Sequence, residues 1–167
     1  MGLFDKFKKD TSQDIFTQKE KDEAYEKFLE KNKEKNSGLD EIMEELREHF
    51  VPEPIRDERG LEDQMKIFLQ VKFPNKKIRR RQRTENKNEV DILIDERYCL
   101  ELKVPDNKTH LRNLGAQAEE YQEEYQVGII IYENESLNLS ETIKEYVKKY
   151  KEKYGIDTIV YSGKTYN

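Results

Sequence analysis

The sequence is poor in the residues that staple or metallate small proteins. Its 167 residues include one cysteine, Cys99, and two histidines, His49 and His110. A single thiol forms no disulfide within the chain and argues for no oxidising compartment. One cysteine and two histidines also fall short of a Cys/His zinc centre. No apolar run approaches the ~20 residues of a membrane-spanning helix, and no signal peptide is visible, so a cytoplasmic location is expected. An excess of positive charge is missing as well. The net charge is −5, so any affinity for a polyanion must be local.

What the chain has in quantity is charge. Charged residues make up 40% and hydrophobic residues 34%, which implies a small core under a very polar surface. The length suits one domain plus an extension, and no internal repeat is present. Residues 1–9 put Leu3, Phe4 and Phe7 on one helical face among lysines. That pattern fits either weak docking on a membrane surface or partner, or a frayed terminus. Residues 10–36 form a solvated helix or tether. Ser37-Gly-Leu-Asp40 resembles a capping box that opens a second helix, with Ile42, Met43, Leu46 and Phe50 as its stripe. Pro52 and Pro54 end it. Residues 1–54 are thus expected to be a helical, charge-rich extension, free to dock on the remainder or on another chain, and 55–167 a folded domain.

In that domain a helix is expected from about Arg56 to Lys72, with Leu61, Met65, Phe68 and Leu69 inward. Lys76–Thr84 carries six Lys/Arg and no acid, and Pro74 limits its start, so it reads as an edge strand. Its alternation predicts Arg79, Arg81 and Arg83 on one face and Arg80 on the other. A helix over about Thr109–Gln126 follows the central segment. Then come the continuously apolar strand Val127–Glu133, buried on both faces, a helix Glu141–Tyr154 capped by Ser140 and stopped at Gly155, and a last strand, Asp157–Tyr161. A helical crossover makes these two strands parallel.

The central segment is 89–104. Two runs, Val90–Ile94 and Tyr98–Val104, flank a short charged turn and read as a hairpin. Asp91, Glu101 and Lys103 interrupt them where a core strand prefers Val or Ile. Burying two acids and a lysine there costs stability unless they pair or hold a metal. Period-two alternation puts Glu101 and Lys103 on one face and Leu100, Leu102 and Val104 on the other. A two-residue turn at Glu96-Arg97 would set Asp91 across from Leu102 and split the acids. A three-residue turn, Asp95-Glu96-Arg97, sets Asp91 across from Glu101, so an odd-length turn or a bulge is expected.

Asp91 followed across a hairpin by Glu101-Leu102-Lys103 resembles the signature of the PD-(D/E)XK nuclease superfamily, with its restriction-endonuclease-like fold. Upstream, Gly60-Leu61-Glu62-Asp63-Gln64-Met65 is similar to the opening of that family's first core helix. Downstream, Gln117 and Tyr121 are similar to the Gln-x-x-x-Tyr helix of some members. The likeness spans roughly residues 55 to 162 in order of elements. It departs at Val90, which stands where the family has proline.

The resemblance implies an α/β fold, a mixed sheet with a central hairpin flanked by helices, and a metal-dependent nuclease acting on nucleic acid, with DNA as the expected substrate. It implies Mg²⁺ or Mn²⁺ held by Asp91, Glu101 and the backbone carbonyl of Leu102, with Glu62 reaching over from the helix. Lys103 would orient or deprotonate the attacking water, and Gln117 would bind near it. Asp63 and Glu58 rival Glu62 as the helix acid. Tyr121 packs or takes part. Lys77, Arg79, Arg81 and Arg83 are the expected phosphate contacts, or a charged edge that blocks strand pairing. His110 is expected to be a bystander. Otherwise a Glu-x-Lys pair in a strand is an ordinary surface ion pair. The alternative function is a catalytically silent module binding nucleic acid or a protein. The pattern also leaves room for a homodimer.

Overall fold

The computed structural model describes residues 17–85 and 87–166, with the side chains of residues 28–37 excepted. The expected docking face of residues 1–9 lies outside the described residues. The chain divides into two compact units, Met1–Gly38 and Leu39–Asn167.

In the first unit α1 (Gln18–His49) begins. Thr17 and Glu20 cap it reciprocally, the Thr17 amide donating to Glu20 Oε2 at 2.6 Å and the Glu20 amide to Thr17 Oγ1 at 3.3 Å. The described residues that follow, 18–27, are exposed on every side, as their lack of an apolar stripe dictates. No second helix opens at Ser37. The helix runs through Ser37-Gly-Leu-Asp40, because a glycine inside a helix costs only about 1 kcal/mol and removes no donor, unlike proline.

The second unit takes in residues that sequence alone assigned to the extension. Ile42, Met43, Leu46 and Phe50 are buried in its core. The compact units therefore divide at Gly38–Leu39, whereas the sequence suggested residue 54. After Pro52 and Pro54 comes α2 (Glu58–Lys72), capped by Asp57, which accepts from the Gly60 amide at 3.1 Å. Its stripe of Leu61, Met65 and Leu69 is fully buried.

Five strands form one mixed sheet in sequence order: β1 (Ile78–Arg83), β2 (Glu89–Ile94), β3 (Tyr98–Lys103), β4 (Gln126–Asn134) and β5 (Asp157–Gly163). β1–β2 and β2–β3 are antiparallel, while β3–β4 and β4–β5 are parallel. The parallel pairs are bridged by α3 (Lys108–Tyr121) and α4 (Ser140–Tyr154). α2 and the Leu39–His49 stretch of α1 cover one face, and α3 and α4 the other. β4, between β3 and the edge strand β5, is buried along nearly its whole length. Gly128 lets α1 approach it closely, since a Cβ there would lie 2.7 Å from Met43 Sδ. Gly155 ends α4 at φ 67°. Ser140 is the first residue of α4 rather than its cap, and its hydroxyl donates to Glu133.

Two local departures from ideal strand geometry set up the site. The β2–β3 turn is the three-residue kind, with Asp95 and Glu96 both at positive φ and the Arg97 amide donating to the Ile94 carbonyl at 3.1 Å. On β1, Arg81 is left-handed, with φ 50°. The ladder joins Arg80 to Ile92 and Gln82 to Val90 but skips Arg81. Across that gap the β2 alternation also breaks. Ile92 and Ile94 pack toward α2, while Val90 packs toward α3. Asp91 sits at the break.

Candidate active site

Continuing the β2–β3 register one step past Ile92–Leu100 brings Asp91 opposite Glu101. Asp91 uses its side chain where the ladder lapses, and its Oδ2 accepts from the Leu102 amide at 2.8 Å. Glu101 is 4% exposed, and its Oε2 has no hydrogen-bond partner. A buried carboxylate oxygen left unpaired is costly, and native proteins seldom retain one without a use.

The electrostatics of the pair follow from burial. Desolvation, then repulsion from Glu62 and Glu58, pushes Asp91 up to about 7, against the pull of the Leu102 amide and of Lys103. Desolvation and then repulsion from Asp91 push Glu101 up to about 9. Two acids beside each other that resist losing their protons form a site short of positive charge.

Lys103, at the end of β3, reaches the first turn of α2, where its Nζ lies 3.0–3.1 Å from the Glu58 carboxylate. Glu58 also accepts from the Val104 amide at 2.9 Å. Of the helix acids, Glu58 therefore touches the lysine. Glu62, the first choice from sequence, is engaged elsewhere. It is 1% exposed. Arg81 grips it with Nε and Nη2, both at 3.1 Å, and Arg80 Nη2 lies 3.2 Å away. Asp63 pairs with Arg80 from the other side. Glu62 is still near enough to act on Asp91 through its charge.

Gln117 is hydrogen-bonded to Tyr121, whose hydroxyl lies near enough to Glu101 and Asp91 to feel their charge. Its Nε2 donates to the Tyr121 hydroxyl at 2.8 Å, which donates to the Glu89 carbonyl at 2.8 Å. The two residues thus tie α3 to the start of β2. His110 takes the Asp106 amide on Nδ1 at 3.2 Å, a local helix-start contact.

The basic strand is divided. Lys77 and Arg79 pair with Glu96, at 2.9 and 3.5 Å, and Arg83 is exposed. Arg81 does not share their face, because its left-handed backbone turns the guanidinium to Glu62. Period-two counting could not find this, since it assumes extended φ throughout. The one cue in the sequence was a buried-helix acid in need of a cation. A cleft of about 440 Å³ opens beside these pairs, with Arg56, Glu58, Arg59 and Arg81 in its lining. A larger groove of about 630 Å³ between α4 and β5 holds none of the candidate site residues.

No group of three or more His, Cys, Asp and Glu among the described residues is drawn close enough to form a ready metal cluster. The donor set is nevertheless of the right kind for a hard divalent cation. Two carboxylates lie close enough to repel each other, one with an unpartnered oxygen, and carboxylate and carbonyl oxygen are what Mg²⁺ and Mn²⁺ take. Among the described residues no helix is long and apolar enough to cross a membrane. Compared with protein-family models, curated proteins and solved structures, the chain matches none.

Proposed function

We propose that the protein is a metal-dependent phosphodiester hydrolase acting on nucleic acid, built on the restriction-endonuclease-like arrangement of strands and helices. The observation that carries this reading is the orphaned Oε2 of Glu101 opposite Asp91, with Lys103 two residues along the same strand.

Asp91, Glu101 and the Leu102 carbonyl would hold the ion. When bound, such an ion neutralises charge on a phosphate and makes a bound water more acidic. Asp91 keeps the two strands in register through the Leu102 amide. Burial keeps competing water away from Glu101. Lys103 stands ready to steady the attacking water or the developing charge, and Glu58 fixes its ammonium meanwhile. Lys77, Arg79 and Arg83 offer cations along one edge for backbone phosphates. Arg81 belongs to the cleft instead.

The test is cleavage of single-stranded, duplex and branched DNA, and of RNA, with and without Mg²⁺ or Mn²⁺, by wild type and Asp91→Asn. The expected result is cleavage that needs the ion and Asp91. Binding without cleavage by either form, under any of these conditions, removes the reading. It leaves the second one, a silent nucleic-acid-binding module. The capture of Glu62 by two arginines and of Lys103 by Glu58 favours that alternative.

A further inference from the structure

Glu62 is held by two guanidiniums from adjacent residues of β1. Arg80 reaches it by ordinary strand alternation and is itself fixed by Asp63 on the same helix. Arg81 reaches it only by adopting φ 50°, a conformation unfavourable for any residue with a Cβ. It also leaves the strand ladder broken opposite Asp91. Both guanidiniums serve one carboxylate, and Arg81 Nη1 also lies 3.6 Å from Glu89. Arg81 alone of the two lines the open cleft, where Arg56 and Arg59 accompany it beside the acids Asp57, Glu58 and Asp106.

We infer that Arg81 is a latch operated by a nucleic-acid phosphate. A phosphate entering the cleft between Arg56, Arg59 and Arg81 offers the same forked acceptor geometry as Glu62 does. The guanidinium passes from the carboxylate to the phosphate, and the strained backbone favours its release. Glu62, left with Arg80, then turns an oxygen toward Asp91 and Glu101 and completes the donor set. Arg81 is thus a positioning residue that assembles the site only when substrate is present. This inference rests on the function proposed above.

Linkage makes it measurable without turnover. If the phosphate frees Glu62, nucleic acid must tighten binding of the divalent ion, and the ion must tighten nucleic acid by the same factor. The experiment titrates Mn²⁺ calorimetrically into the full chain carrying Lys103→Ala, which keeps the nucleic acid intact. It is run with and without whichever nucleic acid the wild type cleaves, and repeated with Arg81→Gln and Arg81→Gly. Glycine accepts φ 50° without strain, so the second variant tests the guanidinium in a chain that folds. The expected result is tightening of Mn²⁺ by nucleic acid of about tenfold or more. In both Arg81 variants Mn²⁺ binds tightly from the outset and the nucleic acid adds little. Mn²⁺ affinity that depends on Asp91 yet ignores nucleic acid, or a coupling that survives Arg81→Gly, overturns the latch and leaves the hydrolase standing. A wild type that neither cleaves nor binds Mn²⁺ overturns both.

Discussion

Two buried acids, Glu62 on α2 and Glu101 on β3, lie on either side of Asp91 in the web of charges and are treated in opposite ways. Glu62, on α2, is 1% exposed and held by two arginines; Glu101, on β3, is 4% exposed and keeps an oxygen that nothing satisfies. The first arrangement is what stability asks of a buried charge: paired and fully hydrogen-bonded. The second works against stability and is retained on the hairpin where Asp91 and Lys103 also stand. The contrast separates a corner that holds the fold together from a corner kept open for a ligand, and it predicts different outcomes for like substitutions.

The largest difference is expected in turnover. Lys103→Ala slows cleavage by about 10²–10⁴-fold, the usual worth of a positioned proton-transfer or charge-stabilising group. Chemical denaturation of the same variant should show little change, because Glu58 retains the Val104 amide. A variant that unfolds as it loses activity removes the distinction.

Next is the paired acid. Glu62→Gln takes the shared carboxylate from two arginines and should cost about 2 kcal/mol in urea unfolding, less than breaking a fully buried pair because Arg80 keeps Asp63, Arg81 keeps Glu89 and both keep some solvent. An unchanged midpoint places Glu62 outside the structural corner.

Glu101→Gln should have the opposite sign. Burial and Asp91 raise Glu101 to about 9 and Asp91 itself to about 7. The native chain therefore holds protons that the unfolded chain has released. Stability without metal is then greatest in acid near the ordinary carboxylate range and declines as pH rises through about 7 and toward about 9. Glu101→Gln removes that residue's share of the decline, by about 1 kcal/mol or more at pH 8, and gives little advantage near pH 3, where the carboxyl keeps its proton in both the native and the unfolded chain. Thermal melts across pH read this directly. A wild type that gains stability toward alkaline pH contradicts it. The smallest effect belongs to Tyr121→Phe, which loses the tie to Glu89 and should cost about 1 kcal/mol in thermal or urea unfolding.

Much of this organisation was legible in the sequence, for identifiable reasons. Parity and turn length together placed Asp91 opposite Glu101, since only an odd-length turn keeps both acids on one face. The apolar run 127–133 marked a strand buried on both faces, and a helix between strands implied parallel pairing. What escaped depends on backbone torsions and competition that no periodicity encodes. Arg81 alternates on paper with Arg79 and Arg83, but φ 50° takes it across the strand. Ser37-Gly38 looks like a helix start, but the helix already running from Gln18 continues through it. Glu58 ranked behind Glu62 and Asp63 because helix spacing says which side an acid faces, not how far a lysine on a strand end will reach. Gln117 pointed to the site by analogy, and its amide meets the Tyr121 hydroxyl one turn away, a partner that helix spacing allows but does not select.

The account stands on the claim that Asp91 and Glu101 await a divalent cation. Its most direct test is thermal denaturation of the metal-free full chain at neutral pH, with and without saturating Mg²⁺, alongside Asp91→Asn. Binding to the native state alone raises the midpoint. The predicted result is a clear rise for the wild type that is absent in Asp91→Asn. An equal response from both, or none from the wild type, would contradict the claim.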